Sequence, residues 1–508
     1  MTFKIPSDAT VLVVGAGIMG AGIAQVAAQA GHPVCLFDSR DGAAAEAIRQ
    51  LGATLDKLAA KGKLAPDAVR ETLMRLRPVA ALADAKDAAL VVEAIVENLD
   101  VKRALFRQLE AVVGDDCILA TNTSSISVTA LASGLKRPGR LVGMHFFNPV
   151  PLMKLVEVVS GLHTDATLAE SIFALAQAWG KVPVHARSTP GFIVNRIARP
   201  YYAETLALLH ERAATPQVLD QCLRAAGFRM GPCELMDLIG HDTNFAVTNS
   251  VFEANFFDKR FVPSPVQREL VDGGLLGRKT GQGFYRYPDG APALPAVAQP
   301  ALAATHAVIV HGHGEIVDQW VARLTSMLGH VPSRRPDSRW QGLAVDDRRL
   351  ALTDGRCAAE VAAAMGCADV AVFDRPVAAA PAQGQPPALA CAMAPRASAH
   401  WRAQAPAWLA ALGVAPVLVA DTPGLVVART LAMLINEAAD AVQQGVCSEQ
   451  GADAAMKLGV NYPAGPFEWL AAWDVAAVVS VLDALDAHYR GERYRASPRL
   501  RQHAGSHS

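Results

Sequence analysis

The run Val11-Leu12-Val13-Val14, followed at once by Gly15-Ala16-Gly17-Ile18-Met19-Gly20, constrains the fold more than any other stretch of this chain. The short β-branched run predicts a strand. The alanine-rich pattern after it predicts a helix closed by Gly31, and His32 to Phe37 predicts a second strand ending at Asp38. Strand, glycine turn, helix and strand form a βαβ unit, which implies a parallel, doubly wound α/β sheet. Each glycine has its own mechanical task. Gly15 allows the tight turn, Gly17 lets a pyrophosphate approach the backbone, and Gly20 lets helix pack on strand. Ile18 and Met19 open a helix whose free N–H groups and partial positive charge suit phosphate. Asp38 suits a ribose diol and repels a 2′-phosphate, so NAD is favoured over NADP, with Arg40 arguing the other way.

The 508 residues leave room for about three or four domains. A hydrophobic share of 51% supplies a large core, and a net charge of -1 argues against a bulk binder of nucleic acid or anionic membrane. Eight cysteines without a CxxC pair indicate neither a zinc framework nor a disulfide scaffold, so no metal is expected and a reducing cytoplasm fits. Val11 to Val14 is too short for a signal-peptide core, and no apolar run reaches membrane-spanning length.

Further strands follow the first unit. Leu90 to Ile95 is a buried parallel strand, with Glu97, Asn98 and Lys102 at or just beyond its carboxyl end, where doubly wound sheets collect ligands. Cys117 to Thr121 is the next strand. Its exit loop, Asn122-Thr123-Ser124-Ser125, offers an amide and hydroxyls to a nicotinamide and a substrate oxygen, or caps to a helix near Ser127. Lys57, Lys61 and Lys63 read as a solvated helix end. Residues 165 to 180 form a helix, and Lys181 to His185 the last strand of this domain.

The chemistry centres on Met144-His145-Phe146-Phe147-Asn148-Pro149. His145 lies between a strand-like run, Arg140 to Met144, and a proline-bounded turn. A second run, Met153 to Val159, carries Glu157. If the runs pack side by side, Glu157 meets the His145 ring, fixes its tautomer and leaves the other nitrogen as a base. Thr189-Pro190-Gly191-Phe192-Ile193-Val194-Asn195-Arg196 then opens a helix-only region that runs to about Asp272, with a junction at Gly231-Pro232.

Residues 1 to about 287 resemble the L-3-hydroxyacyl-CoA dehydrogenases. The motifs that carry the resemblance are GAGIMGAGIA (15–24), VVEAIVEN (91–98), TNTSSIS (121–127), GMHFFNPVPLMKLVEVV (143–159) and STPGFIVNRIARPYY (188–202). The resemblance implies an NAD-dependent oxidation of (3S)-3-hydroxyacyl-CoA. His145 would be the acid/base and Glu157 its partner, with Ser124 and Asn195 binding the substrate's reacting oxygen and thioester region. Gly15, Gly17, Gly20, Asp38, Glu97, Lys102 and Asn148 would be cofactor positions, together with Ile18, Met19 and Asn122 around the two loops. Arg229 departs from the family's proline in GFPMGP, which bears on the local loop shape. NRIARPYYAE (195–204) and GHDTNFAVTNSVFEANF (240–256) resemble the branch that oxidises 3-hydroxyadipyl-CoA in phenylacetate catabolism. Arg199 is then the expected cation for the distal carboxylate, and Arg260 the second choice. The alternatives are a 3-hydroxybutyryl-CoA or general β-oxidation dehydrogenase, a lysine-dependent hydroxyacid dehydrogenase of similar architecture, and a non-enzymatic relative.

Beyond a Pro/Ala-rich linker the chain repeats itself. Thr422-Pro423-Gly424-Leu425-Val426-Val427-Ala428-Arg429 echoes Thr189 to Arg196, Glu437 echoes Glu204, and Gly465-Pro466 echoes Gly231-Pro232, at offsets of 233 to 234 residues. Ala428 replaces Asn195. Between lies a degenerate α/β segment: Ala307 to Val310 is strand-like and Gly312-His313-Gly314 follows, but Val317 stands where a third glycine belongs, and Val377 to Pro395 reads as a loop. The expected domains are a Rossmann-type domain (1–187), a helical substrate and dimerisation domain (188–287), a linker (288–305), the degenerate segment (306–421) and a non-catalytic second helical domain (422–490). Single-copy members of the family pair through their helical domains. The expected arrangement is therefore an intramolecular pseudo-dimer or a homo-oligomer, with an acyl-CoA as partner and no nucleic acid or membrane.

Overall fold

The computed structural model describes residues 5–294, 302, 306–377 and 386–505. The chain packs as two compact units that interleave in sequence: Met1–Arg196 with Ala441–Val460, and Ile197–Asp440 with Asn461–Ser508.

The first unit is built on an eight-stranded sheet. Its strands are β1 (Val11–Val14), β2 (Val34–Phe37), β3 (Leu76–Pro78), β4 (Leu90–Glu93), β5 (Ile118–Thr121), β6 (Leu141–Phe146), β7 (Leu155–Ser160) and β8 (Val182–Arg187). They lie in the order β3-β2-β1-β4-β5-β6-β7-β8. All pairs are parallel except β6 with β7. Helices such as Ile18–Gln29 and Ala166–Ala178 pack on the sheet. The central strands are buried on both faces, which is why β1, β4 and β5 are continuous apolar runs rather than alternating ones. The Rossmann-type fold expected from the glycine turn is present. Asn98 caps helix Leu99–Val112 by accepting the N–H groups of Asp100 and Val101, and Ser127 caps Val128–Ala132.

The second unit contains helices and a seven-stranded mixed sheet. The strands are β9 (Val308–His311), β10 (Ser333–Arg335), β11 (Gly342–Val345), β12 (Arg348–Leu352), β13 (Val370–Phe373), β14 (Ala388–Met393) and β15 (Ala415–Leu418), in the order β10-β9-β11-β12-β13-β14-β15. Its last four strands repeat the pairing of β5 to β8: parallel, antiparallel, parallel. The core is anchored by Trp401, Trp408 and Phe373. One expectation is corrected here. Val377 to Pro395 is not simply a loop, because β14 occupies Ala388–Met393. Alanine is a weak strand former, and only burial between β13 and β15 makes this run a strand. Residues 378–385 of that stretch, and 295–301 and 303–305 of the expected linker, lie outside the described residues.

Helices Arg199–His210, Pro216–Ala225, Pro232–Ile239, His241–Ala254 and Pro265–Asp272 belong to this unit, as do Pro466–Trp473 and Val475–Tyr489. Proline stands at the first turn of several, where a missing N–H costs nothing. Their contacts include reciprocal ion pairs. Fully buried Glu204 holds Arg429 at 2.6 Å and Arg493 at 2.8 Å, while Glu437 and Asp440 hold Arg260. Glu437 and Arg493 each follow their counterparts Glu204 and Arg260 by 233 residues. Residue i contacts j′ and j contacts i′, as across an isologous dimer interface. No helix among the described residues is long and apolar enough to cross a membrane.

Candidate active site

His145 on β6 and Glu157 on β7 face each other in the antiparallel register. The imidazole Nδ1 lies 2.5 Å from Glu157 Oε2. A carboxylate can only accept here, so Nδ1 carries the proton and Nε2 is the ring nitrogen left for other work. Glu157 is fully buried, and its other oxygen accepts the N–H groups of Ile193 and Val194 at 3.1 and 3.0 Å. The turn that aims those donors has Gly191 and Phe192 in the left-handed region, at φ 76° and 45°. A phenylalanine is rarely found there, and the conformation is strained. The Phe192 ring, 5.9 Å from the imidazole, walls the site with Phe147 at 4.5 Å.

A second carboxylate organises the loop after β5. Glu97 Oε1 accepts from the Thr123 hydroxyl at 2.6 Å, the Ser124 N–H at 3.0 Å, and the N–H and hydroxyl of Ser125 at 3.1 and 3.0 Å. Burial opposes the charge of Glu97, but Lys102 and these hydrogen bonds hold its carboxyl below the usual range. Lys102 is itself buried, 2.5 Å from Glu93 and 3.2 Å from Glu97. Glu93 also takes the Thr121 hydroxyl at 2.7 Å. The Asn195 amide donates to the Ser124 carbonyl at 3.5 Å, so Ser124 and Asn195 adjoin. Asn122 accepts the Phe146 N–H at 2.8 Å and ties this loop to the histidine strand. Asn148 is exposed on the turn beyond β6.

The glycine turn fits a dinucleotide. Gly15 has φ 107°, and a Cβ there would lie 2.4 Å from the Ala94 carbonyl; at Gly20 it would lie 1.8 Å from the Gly15 carbonyl. Both positions are closed to side chains by packing. At Gly17 a Cβ would meet nothing within 4 Å, so the open approach to the backbone is there. Ile18 and Met19 begin the helix at this turn. Asp38 directly follows β2 and accepts the Ala16 N–H at 2.8 Å and the Arg40 N–H at 2.9 Å.

Some elements of the site escaped the sequence reading. Glu93 had a signal, a carboxylate inside an apolar strand. Helix Glu449–Gly459 had none, yet it lies against β7 and β8. A Cβ on Gly459 would come within 2.7 Å of Leu155, 3.0 Å of Val194 and 3.6 Å of Phe147. Among the sequence-predicted residues, the structure brings His145, Glu157, Ser124, Asn195 and Glu97 into one unit.

In the second unit, Arg199 is buried, donates to Thr248 Oγ1 at 3.1 Å and stacks on Tyr202 at 4.8 Å. Arg260 is held by Asp258, Glu437 and Asp440, which leaves it ill-suited to a substrate carboxylate. Among the described residues, the second sheet has no such dyad. Ala390 pairs with Val417 as Glu157 pairs with Val184, each five residues before its Thr-Pro-Gly turn. Asp374 donates its N–H to the Ala390 carbonyl across the ladder and so stands where His145 stands. Its carboxylate accepts the N–H groups of Val426, Val427 and Ala428 directly. Cys357, Glu360 and His488 have donor atoms within 4.8 Å of one another, but Glu360 is engaged by the Cys357 N–H.

Comparison with known proteins identifies the family. Residues 10–189 match the family model of the 3-hydroxyacyl-CoA dehydrogenase NAD binding domain. Residues 191–287 and 424–507 match the 3-hydroxyacyl-CoA dehydrogenase C-terminal domain. Residues 350–423 match a 3-hydroxybutyryl-CoA dehydrogenase reduced Rossmann-fold domain. The chain is 44% identical over 497 residues to a 3-hydroxyadipyl-CoA dehydrogenase of Escherichia coli K12, covering 97% of each. It is 41% identical to a 3-hydroxybutyryl-CoA dehydrogenase of Clostridioides difficile, covering 54% of this chain and 98% of the relative. A crystal structure named 3-hydroxybutyryl-CoA dehydrogenase, from Escherichia coli K12, superposes with a TM-score of 0.88 at 42% identity, covering 98% of both chains. This chain belongs to the 3-hydroxyacyl-CoA dehydrogenase family and is an NAD-dependent oxidoreductase.

Proposed function

We propose that the chain oxidises (3S)-3-hydroxyadipyl-CoA to 3-oxoadipyl-CoA through a His145–Glu157 pair. The observation that carries the mechanism is the 2.5 Å contact between His145 Nδ1 and Glu157 Oε2. With that nitrogen committed, Nε2 takes the proton of the substrate's 3-hydroxyl, and Glu157 stabilises the imidazolium that results. The Ser124 hydroxyl and the Asn195 amide hold the reacting oxygen, whose charge changes during the reaction. NAD, when bound, would supply the hydride acceptor for C3. The turn at Gly15, Gly17 and Gly20, with Ile18 and Met19, would cradle its pyrophosphate, and Asp38 would take the adenosine ribose. Asn122, Asn148 and Glu97 would line the nicotinamide end. Buried Lys102 acts there by fixing Glu97.

The adipyl preference is supported by the Escherichia coli relative named for that substrate. The structure named for the butyryl compound favours the short-chain reading instead. Formation of reduced nicotinamide, followed by absorbance with each hydroxyacyl-CoA, separates them. A kcat/KM at least about ten times higher for the dicarboxylic substrate is expected, and equal values would leave the short-chain reading standing.

The helical segments beyond residue 424 are non-catalytic and take the place of a partner subunit within one chain. The reciprocal pairs of Glu204 with Arg493 and Glu437 with Arg260 support this. All eight cysteines are free thiols, which suits a reducing cytoplasm.

A further inference from the structure

Lys181 stands between helix Ala166–Ala178 and β8, in the first unit, and is 7% exposed. Its Nζ donates to the Val150 carbonyl at 2.5 Å and to the Met153 carbonyl at 2.8 Å. Burial, and then the like charge of Lys154, push its ammonium down to about 8, and no carboxylate offsets them. A buried cation without a counter-ion costs stability, and an apolar side chain would fill the same space without that cost. What only the ammonium supplies is three donors on one point. Two of them close the turn that joins β6 to β7. The turn also has backbone bonds of its own: Leu152 and Met153 donate to the Pro149 carbonyl, and Val182 donates to that of Lys154. Groups of the site lie along it. Phe147 packs on the His145 imidazole at 4.5 Å, and Asn148 comes next. Val150 is 2% exposed and lies against Gly22 of helix Ile18–Gln29, where a Cβ would come within 2.9 Å of Val150 and 3.6 Å of Pro151. The turn is therefore packed on the helix that the glycine loop opens.

We infer that Lys181 is a positioning residue for the cofactor: its ammonium, through the Val150 carbonyl, holds the β6–β7 turn against the helix that follows the glycine loop. Asn148, two residues before Val150, is placed by the same clamp. The inference rests on the dinucleotide reading of the glycine loop and not on the choice of acyl chain. The β6–β7 ladder and the N–H groups of Ile193 and Val194 fix the His145–Glu157 pair independently of Lys181. Loss of the clamp therefore falls on NAD binding rather than on proton transfer.

The test compares the whole chain with Lys181→Met, Val150→Ala and the double variant. NAD affinity is measured by fluorescence titration with no acyl-CoA present, well below each melting temperature, and kcat and the KM for NAD accompany it. Lys181→Met should raise the Kd and the KM for NAD about tenfold and leave kcat at saturating NAD within about threefold. Val150→Ala should raise the Kd about three- to tenfold. The double variant should match Lys181→Met within about twofold, because both changes act through one contact. An unchanged Kd in either single variant, or losses that multiply in the double variant, overturns the inference, whatever happens to the melting temperature. If Lys181→Met does not fold, Lys181→Gln takes its place: it is uncharged and one atom shorter, and should raise the Kd about threefold or more. An unchanged Kd there is equally decisive against the clamp. A parent chain that binds no NAD overturns the cofactor reading and this inference with it, whereas NAD binding untouched by the variants overturns this inference alone.

Discussion

Glu157 and Asp374 receive main-chain N–H groups from the same place in two turns that lie 233 residues apart. Glu157 takes those of Ile193 and Val194; Asp374 takes those of Val426, Val427 and Ala428. Both turns carry a glycine and then a bulky residue in the left-handed region, Gly191-Phe192 and Gly424-Leu425. Asp374 reaches its donors from the ladder position that His145 fills in the first sheet, and Ala390 fills that of Glu157. The second sheet therefore has the anchor of the turn without the base. In the first sheet, one carboxylate both anchors the turn and orients the imidazole.

That division predicts different phenotypes. Glu157→Gln removes the charge behind the imidazolium and leaves one amide oxygen for the donors of His145, Ile193 and Val194 that two carboxylate oxygens now share. Turnover should fall by about a hundredfold or more, and stability by about 1–3 kcal/mol. Asp374→Asn should cost stability in the same range and leave kcat within about twofold. Thermal unfolding and kcat measured on both variants check the contrast. A large kcat loss in Asp374→Asn would contradict it.

The Asp374 anchor also brings a pH dependence. Burial pushes the Asp374 carboxyl up to about 6, although its three main-chain donors favour the charged form. The folded state thus holds this proton more tightly than the unfolded chain, whose value is about 3.9. The stabilising contribution is complete below about pH 4 and is lost as pH rises through about 6. A gap of about two units corresponds to about 3 kcal/mol. Between pH 4.5 and 7 the parent chain should lose melting temperature relative to Asp374→Asn, which lacks the titration. A constant difference across that range would refute the assignment.

His145→Gln tests the base itself. Turnover should fall by about two to four orders of magnitude, in line with the loss of a general base, while NAD affinity measured by fluorescence titration stays unchanged. The ring touches Glu157, Phe147 and Phe192, none of which belongs to the glycine turn, so the two readouts separate.

Much of this was legible in the sequence because its signals are local. The turn from Gly15 to Gly20 declares its own geometry, and β-branched runs declare buried strands. The pairing of His145 with Glu157 was legible for a different reason: two short strands joined by a proline-bounded turn have few registers open to them. What was hidden depends on distant packing. Alanine-rich β14 is a strand only because β13 and β15 enclose it. Lys102 looked like a cofactor contact, yet it closes a buried ion pair with Glu93. Nothing near Arg260 in the sequence announces that Glu437 and Asp440, far along the chain, hold it.

Cofactor choice follows from Asp38. Its carboxylate is fixed by the Ala16 N–H and by Arg40, whose Nε lies 3.2 Å from Oδ1. Asp38→Ser removes the charge that repels a 2′-phosphate and leaves Arg40 to attract one. The ratio of kcat/KM for NAD over NADP should fall by about two orders of magnitude, since like-charge contacts cost several kcal/mol. An unchanged ratio would place the discrimination elsewhere.

Gly459 connects the later half of the chain to the dyad. It ends helix Glu449–Gly459, which lies against β7 and β8, and its missing side chain leaves room for Leu155, Val194 and Phe147. Val194 donates its N–H to Glu157, and Phe147 packs on the imidazole. In Gly459→Val the branched side chain must push on all three, and overpacking of this kind costs about 1–3 kcal/mol. The displaced groups are those that aim Glu157 and wall His145, so kcat should fall about tenfold with little change in the KM for NAD. Gly451→Ala on the same helix is the control, because its Cβ would press only on the Ser448 hydroxyl within its own turn, at 3.1 Å, and would come no nearer than 4.0 Å to Val184 on β8. That variant should retain full kcat. If Gly459→Val lowers only the melting temperature, the helix supports the sheet without positioning the dyad.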